Sequence, residues 1–461
     1  MTPMKQAFHW RRLDNCDRKH ARVRIISWRL QQIRWIFAFF YEIVVTLTKG
    51  LRNNYISAYL KRGLTMKLIH TSDWHLGQNF FGFDRRDDHE YMVGELVKLV
   101  AEEKPDALII AGDVYDVQAP NTGVQKDFAD YMVRLHAACP QMMIVCISGN
   151  HDSASRHEIF QSPWEALGVK MIGKINKERL DENIIEVPGK GWIVAVPYTN
   201  DRFLSDGFYL DLEAKAQEIA GRERPIIYVG HAAISGTDFT GHQQQNDRFI
   251  GGIECTGIDQ IGRLYDYVAL GHIHKAQTFD SGRARYCGTP LAVSFDEVKD
   301  GYEHGFDVVE IDAHGTMPRI RPVKVECPHP LVNIPAEGHA VWEEMMKELK
   351  AFPADVPAYL RLNVLLKDNS LLPYNKDAQI EAALNGKLAK YAAINPTREI
   401  VATDEDGKSA LGSLTMQELQ NIDHKTVMKE FAKSEGFPFS DEFEEMFNTV
   451  YKIVTDADYE N

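Results

Sequence analysis

The chain has 461 residues, 44% of them apolar and 26% charged, with 66 Asp and Glu against 52 Lys and Arg for a net charge of −14. That composition excludes a wholly disordered polymer, which lacks the apolar residues to bury a core, and the length provides for roughly two or three domains of about 150 residues. An acidic total also argues against bulk electrostatic attraction to nucleic acid, which ordinarily draws on surplus Lys and Arg.

The charge is divided unevenly along the chain. Residues 1–65 hold thirteen Lys and Arg against only Asp14, Asp17 and Glu42, a net of +10, which leaves −24 for residues 66–461. This stretch carries Arg11-Arg12, Arg18-Lys19 and Arg22 ahead of an apolar run from Trp35 to Leu47 that Glu42 interrupts. The run is shorter than the ~20 residues of a spanning helix. It also starts too far into the chain for a signal peptide. One reading is an amphipathic helix on a membrane surface, with Trp28, Trp35, Phe37 and Phe40 on its apolar side. The favoured expectation is an upstream extension that is not part of the working protein, with no membrane partner, because a self-contained globular pattern begins at Met66-Lys67-Leu68-Ile69.

From Met66 to about residue 275 one pattern recurs: a short apolar run stops at a cluster of Asp, His, Asn and Gly. Leu68 to Thr71 precedes Ser72-Asp73-Trp74-His75, and Ala107 to Ala111 precedes Gly112-Asp113. Met143 to Ile147 precedes Gly149-Asn150-His151-Asp152, Ile226 to Val229 precedes Gly230-His231, and Tyr267 to Leu270 precedes Gly271-His272-Ile273-His274. Continuous apolar runs of this length suit strands buried on both faces. Between them Met92, Leu96, Leu99 and Val100, and then Phe128, Met132, Leu135 and Cys139, recur at helical spacing. Alternating strands and helices predict an α/β domain, whose ligand site lies beyond the carboxyl ends of the strands. Residues 73, 113, 150, 231 and 272 are therefore predicted to meet in space.

The style changes after Gly288. Gly305 to Asp312 reads as a closing strand, and Pro318, Pro322, Pro328, Pro330 and Pro335 point to a linker near 325–335. A helix over Ala340 to Ala351, a strand over Tyr359 to Leu366 and a helix over Asp377 to Tyr391 predict a smaller α/β cap. Residues 413–455 read as helical, with Phe443, Met446, Phe447, Val450 and Val454 on one face. That face suits either a partner's coiled coil or the chain's own cap. The expected division is thus 1–65 extension, 66–325 main α/β domain, 326–405 cap and 406–461 C-terminal helices. The six cysteines form no C-x-x-C pair, so neither a zinc ribbon nor a disulfide framework is expected, and a reducing cytoplasm fits.

Imidazole and carboxylate together suit divalent transition ions such as manganese, zinc or iron. Asp73, His75, Asp113, Asn150, His231, His272 and His274 are too many ligands for one tetrahedral ion. They are about right for two ions sharing a bridging carboxylate, an arrangement that activates water and stabilises in-line displacement at phosphorus.

At this point the motifs are specific. Ser72-Asp73-Trp74-His75-Leu76-Gly77, Gly112-Asp113-Val114-Tyr115-Asp116, Gly149-Asn150-His151-Asp152, His231 and Gly271-His272-Ile273-His274 resemble the five motifs of the calcineurin-like metallophosphoesterases. The form His70-Thr71-Ser72-Asp73-Trp74-His75, with Ser294-Phe295-Asp296-Glu297 after the last motif, resembles the nuclease branch of that family. The likeness runs from Met66 to near the C-terminus, most tightly over 66–300. It implies an α/β fold with a β-sandwich flanked by helices. It further implies that Asp73, His75 and His274 hold one ion, Asn150, His231 and His272 the other, and Asp113 both. The ions would be Mn2+ by preference, with Mg2+ as the alternative. His151 would be general acid or transition-state stabiliser, with Asp152 orienting it.

For function, the resemblance implies a DNA nuclease component of repair, replication and recombination. It would digest duplex ends 3′ to 5′ and cut single strands or hairpins internally, as a homodimer within a heterotetramer completed by an ATPase partner. The alternative is a small-molecule phosphodiesterase or phosphatase on the same scaffold, since metal motifs fix the chemistry and not the substrate. Other histidines carry less. His70 is expected in the core or supporting a ligand, His242 in a loop, and His89, His136 and His157 have no partner legible in sequence. Arg156 reads either as a phosphate contact or as a solvated surface residue.

Overall fold

The computed structural model describes residues 65–399, apart from 160, 200–203, 205–206, 240–255, 299–301 and 368–369. The basic extension over 1–64, His242 and the C-terminal helical stretch lie outside the described residues. Along the chain run β1 (Met66–Thr71), a small hairpin of β2 (Asn79–Phe80) and β3 (Phe83–Asp84), α1 (Arg86–Glu103), β4 (Ala107–Ala111), α2 (Thr122–Ala138) and β5 (Met143–Ile147). Then come α3 (Ala154–Glu158), α4 (Gln161–Glu165), β6 (Val169–Ile172), β7 (Ile184–Val187), β8 (Gly191–Val196), α5 (Phe208–Ala220), β9 (Ile226–His231), α6 (Ile258–Ile261) and β10 (Tyr267–Gly271). The described chain ends with β11 (Gln277–Phe279), β12 (Ala284–Tyr286), β13 (Gly305–Ile311), β14 (Arg319–Lys324), β15 (Leu331–Ile334), α7 (Trp342–Ala351), β16 (Tyr359–Leu366), α8 (Lys376–Leu384) and β17 (Lys390–Arg398).

The apolar runs become the centres of two six-stranded sheets, ordered β14-β13-β1-β4-β5-β6 and β11-β12-β10-β9-β8-β7. Strands β1, β4, β5 and β6 are parallel, as are β12, β10, β9 and β8. Side chains alternate across a strand, so a run buried on both faces is apolar at every position. In β4, Ile109 faces inward with Leu68 and Val145 against Val229, Tyr267 and Ala269 of the second sheet. Its neighbours Leu108 and Ile110 face outward onto Met92, Leu96, Phe128 and Met132 of α1 and α2. On the far side, Val194, Tyr228 and Val268 pack under Phe208 and Leu212 of α5. The result is two sheets face to face between two helical layers, each buried Leu, Ile or Val contributing about 1.5–3 kcal/mol.

The helices form where the spacing predicts. Asn121 caps α2 by accepting the Val124 amide at 3.0 Å, and α1 ends where Lys104 turns left-handed at φ 47°.

A third sheet, β15-β16-β17, is parallel throughout and packs on α7 and α8 through Met345, Leu349, Leu360, Leu362 and Ile380. Two expectations change here. The predicted helix from Asp377 stops at Leu384, because Asn385 leaves helical geometry and Gly386 takes φ +78°, and Tyr391 lies in β17. The predicted linker also contains a strand: Leu331 and Ile334 are buried core residues of β15 between the prolines. None of the described helices is long and apolar enough to cross a membrane.

Candidate metal centre

The parallel strands of each sheet end at one edge, in register. Thr71 pairs with Ile110, Ala111 with Ile147, and His231 with Gly271. Past those pairs the loops run on together: the Asp73 amide donates to Gly112 O at 2.9 Å, and the His75 amide to Asp113 O at 3.1 Å. Asp73, His75, Asp113 and His272 have φ of +53°, +48°, +49° and +96°. They are four of the eight non-glycine residues with positive φ among the described residues. Strain of about 1–3 kcal/mol per such residue is tolerated where the surroundings hold it, characteristically at functional sites. The adjoining glycines admit close approach. A Cβ on Gly112 would stand 2.2 Å from His231 Nδ1, and one on Gly149 2.1 Å from Asp113 Oδ1.

All seven sequence-predicted ligands converge there. Asp73, His75 and His274 present ligand atoms within 4.8 Å of one another, as do Asp113, His231 and His272. Asn150 Oδ1 lies 3.0 Å from both His231 Nε2 and His272 Nδ1. Asp113 stands between the groups, its Oδ2 3.3 Å from His231 Nε2 and 4.0 Å from His75 Nε2. The His272 amide donates to Asp73 Oδ1 at 3.1 Å, tying the second sheet to the first. His151 lies beside this set: its amide donates to Asp113 Oδ1 at 2.8 Å, and its ring packs edge-on against His75 at 4.9 Å.

Supporting bonds fix the imidazoles. His231 Nδ1 lies 2.8 Å from Ala111 O, and His274 Nδ1 lies 2.8 Å from Glu297 Oε1. Each turns Nε2 toward the centre, the arrangement by which ligating histidines are held. His75 Nε2 and His274 Nε2 stand 3.2 Å apart. Two nitrogens bound at about 2.0–2.1 Å to one ion are separated by a similar distance. Buried imidazoles and carboxylates at this density fit a pair of divalent cations.

The charges couple strongly. Burial opposes ionisation of Asp113, yet His231, His75 and His151 hold its carboxyl well below the usual carboxylate range. Burial likewise disfavours charge on His75 and His231, but Asp116, Asp113 and Asp73 raise His75 to about 9, and Asp113 and Asp73 do the same for His231. Burial and the neighbouring His75 push His274 down to about 3.

Three residues stand in the quoted motifs, but the contacts they make were not legible there. Asp116 Oδ1 lies 3.4 Å from His75 Nδ1, and its carbonyl lies 2.8 Å from His151 Nδ1. Glu297 supports His274 from 23 residues away. The Asp152 carboxylate accepts the amides of Val114, Tyr115 and Gly149 at 3.1, 3.0 and 2.9 Å. Its side chain joins two loops, and the Asp116 carbonyl lies against the His151 ring nitrogen. His70 is a core residue 2.9 Å from Tyr267 Oη, His89 is buried on α1, His136 sits on the last turn of α2, and His157 Nε2 lies 3.4 Å from Cys146 Sγ. Arg156 is exposed on α3.

Residues 66–276 match the family model of calcineurin-like phosphoesterases. Over 313 residues the chain is 30% identical to the SbcD component of the SbcCD nuclease from Rhodobacter capsulatus, covering 62% of this chain and 75% of that protein. The proteins of the same name from Bacillus subtilis and Escherichia coli K12 are 29% and 27% identical over 53% and 52% of this chain. The match spans 66% and 64% of those two proteins, just under two-thirds of their length.

Proposed function

The chain belongs to the calcineurin-like phosphoesterases, among relatives named as the SbcD component of the SbcCD nuclease, and from that premise we propose a metal-dependent DNA nuclease that works with an SbcC-type ATPase. The observation that carries the reading is the place of Asp113, whose carboxylate faces His231 on one side and His75 on the other. Asp73, His75 and His274 would hold one ion and Asn150, His231 and His272 the second, with Asp113 placed to serve both. Bound divalent cations, Mn2+ in preference to Mg2+, supply the charge that activates water and stabilises in-line displacement at phosphorus.

The chain's own groups do the rest. Asp116 holds the His151 Nδ1 proton on its carbonyl, which makes Nε2 the position for the exchangeable proton. Water adds to phosphorus as the bond to the leaving oxygen breaks; His151 Nε2 gives its proton to that oxygen, the proton lost by the water passes to solvent, and His151 is reprotonated from solvent. Residues 66–325 form the catalytic unit, 326–405 the cap that shapes access for DNA, and 406–461 the segment that engages the ATPase. The protein acts in the cytoplasm as a homodimer within a heterotetramer, in repair, replication and recombination. Duplex ends are digested 3′ to 5′, and single strands or hairpins are cut internally.

The test is cleavage by the full chain with Mn2+, comparing linear duplex and hairpin DNA with a chromogenic small phosphodiester. DNA cleavage that His151→Ala lowers about 10²- to 10⁴-fold while two Mn2+ still bind is the expected result. Turnover of the small ester alone would favour a small-molecule phosphodiesterase. Loss of Mn2+ with His151→Ala would remove the assigned division between ligand and acid.

A further inference from the structure

The turn Phe295–Glu297 stands between the metal ligands and the third sheet. Ser294 caps it by accepting the Asp296 amide at 3.2 Å. On one side Glu297 is 1% exposed, with Oε1 2.8 Å from His274 Nδ1 and Oε2 accepting the Val293 amide at 3.0 Å. On the other side the third sheet grips the two preceding residues. Phe295 packs with Phe80, Leu331 and Tyr359, and its carbonyl accepts Asn333 Nδ2 at 3.2 Å. Arg361 Nη2 bonds Asp296 Oδ1 at 2.9 Å, its guanidinium lies 5.3 Å over the Phe295 ring, and its Nε donates to Asn333 Oδ1 at 2.8 Å. Asn333 is on β15 and Arg361 on β16.

Two residues of one short helical turn are therefore held by the third sheet, and the third residue holds a histidine of the metal centre. We propose that Glu297 is a positioning residue for His274, and that the third sheet sets its position through Arg361 and Asn333. A carboxylate behind a ligating imidazole fixes the ring and raises its basicity. Moving Phe295 and Asp296 moves Glu297 with them, because few dihedrals separate the three residues. Whatever shifts the third sheet changes affinity for the ion held by Asp73, His75 and His274, and loading that ion biases the third sheet in return. The inference rests on the metal-centre reading above.

Titration of the full chain with Mn2+, and the visible absorption of the Co2+-loaded protein, test it. The unsubstituted protein binding two Mn2+ establishes the centre; fewer than two would refute that reading rather than the coupling. Glu297→Gln leaves His274 an acceptor without the carboxylate charge, and is expected to weaken one Mn2+ equivalent about 10- to 100-fold and spare the other. Arg361→Ala is expected to weaken the same equivalent about 2- to 30-fold and alter the Co2+ spectrum in the same direction, with partial recovery in Arg361→Lys. If Arg361→Ala does not fold, Asp296→Asn removes the same ion pair and is read by the same titration. Unchanged affinity and spectrum in Arg361→Ala, or in Glu297→Gln, overturns the proposal. Equal weakening of both equivalents overturns it too, since that marks general loosening.

Discussion

Gly149 has room for no side chain, because a Cβ there would stand 2.1 Å from Asp113 Oδ1 and 2.4 Å from the Asp113 amide nitrogen. Gly149→Ala is accordingly expected to push the bridging carboxylate aside and abolish Mn2+ binding, read by calorimetric titration; retention of both equivalents would contradict the packing. The imidazoles make a second prediction. His75 and His231 are raised to about 9 against an ordinary value of 6.5. Such groups stabilise the metal-free fold fully below pH 6.5, and that contribution is lost as pH rises through 9. Divalent ions must displace the same protons, so they bind more tightly across the same window. The difference in melting temperature with and without Mn2+ should therefore widen from pH 6.5 to 8.5. A difference constant with pH would show that neither histidine carries a proton in the metal-free fold.

At the scale of elements, the loops after β4 and β5 act as one piece because Asp152 accepts amides from both. Asp152→Ala leaves those amides without their acceptor, at about 1–3 kcal/mol each. It should lower the melting temperature and weaken Mn2+ binding together; a variant that melts normally but turns over poorly would instead place Asp152 in the chemistry. The strands carrying the ligands were legible because runs such as Ala107 to Ala111 are apolar at every position, which only burial on both faces requires. Asp73 and His272, far apart in sequence, meet because each follows the carboxyl end of a central strand. What the pattern hid was of two kinds. Strand β17 begins after the short stretch 385–389 that follows α8, and the turn at Asn385-Gly386 is what ends the helix. The supports from Asp116, Asp152 and Glu297 depend on loop paths, and periodicity carries no information about where a loop brings a carboxylate.

Across the whole molecule, the centre joins two sheets: Asp73, His75, Asp113 and Asn150 follow strands of the first, and His231, His272 and His274 belong to the second. The acidic balance of residues 66–461 takes on a specific meaning, since two of its carboxylates, Asp73 and Asp113, belong to the cluster that fits cations. On the proposed reading, bound cations local to the site would add to the attraction for a phosphodiester. The central claim is that seven residues from both sheets hold two ions with Asp113 between them. Anomalous diffraction at the manganese edge from crystals grown with Mn2+ tests it most directly. Two peaks are predicted, one among Asp73, His75 and His274 and one among Asn150, His231 and His272, both in contact with Asp113; a single peak, or peaks that leave Asp113 out, would contradict it.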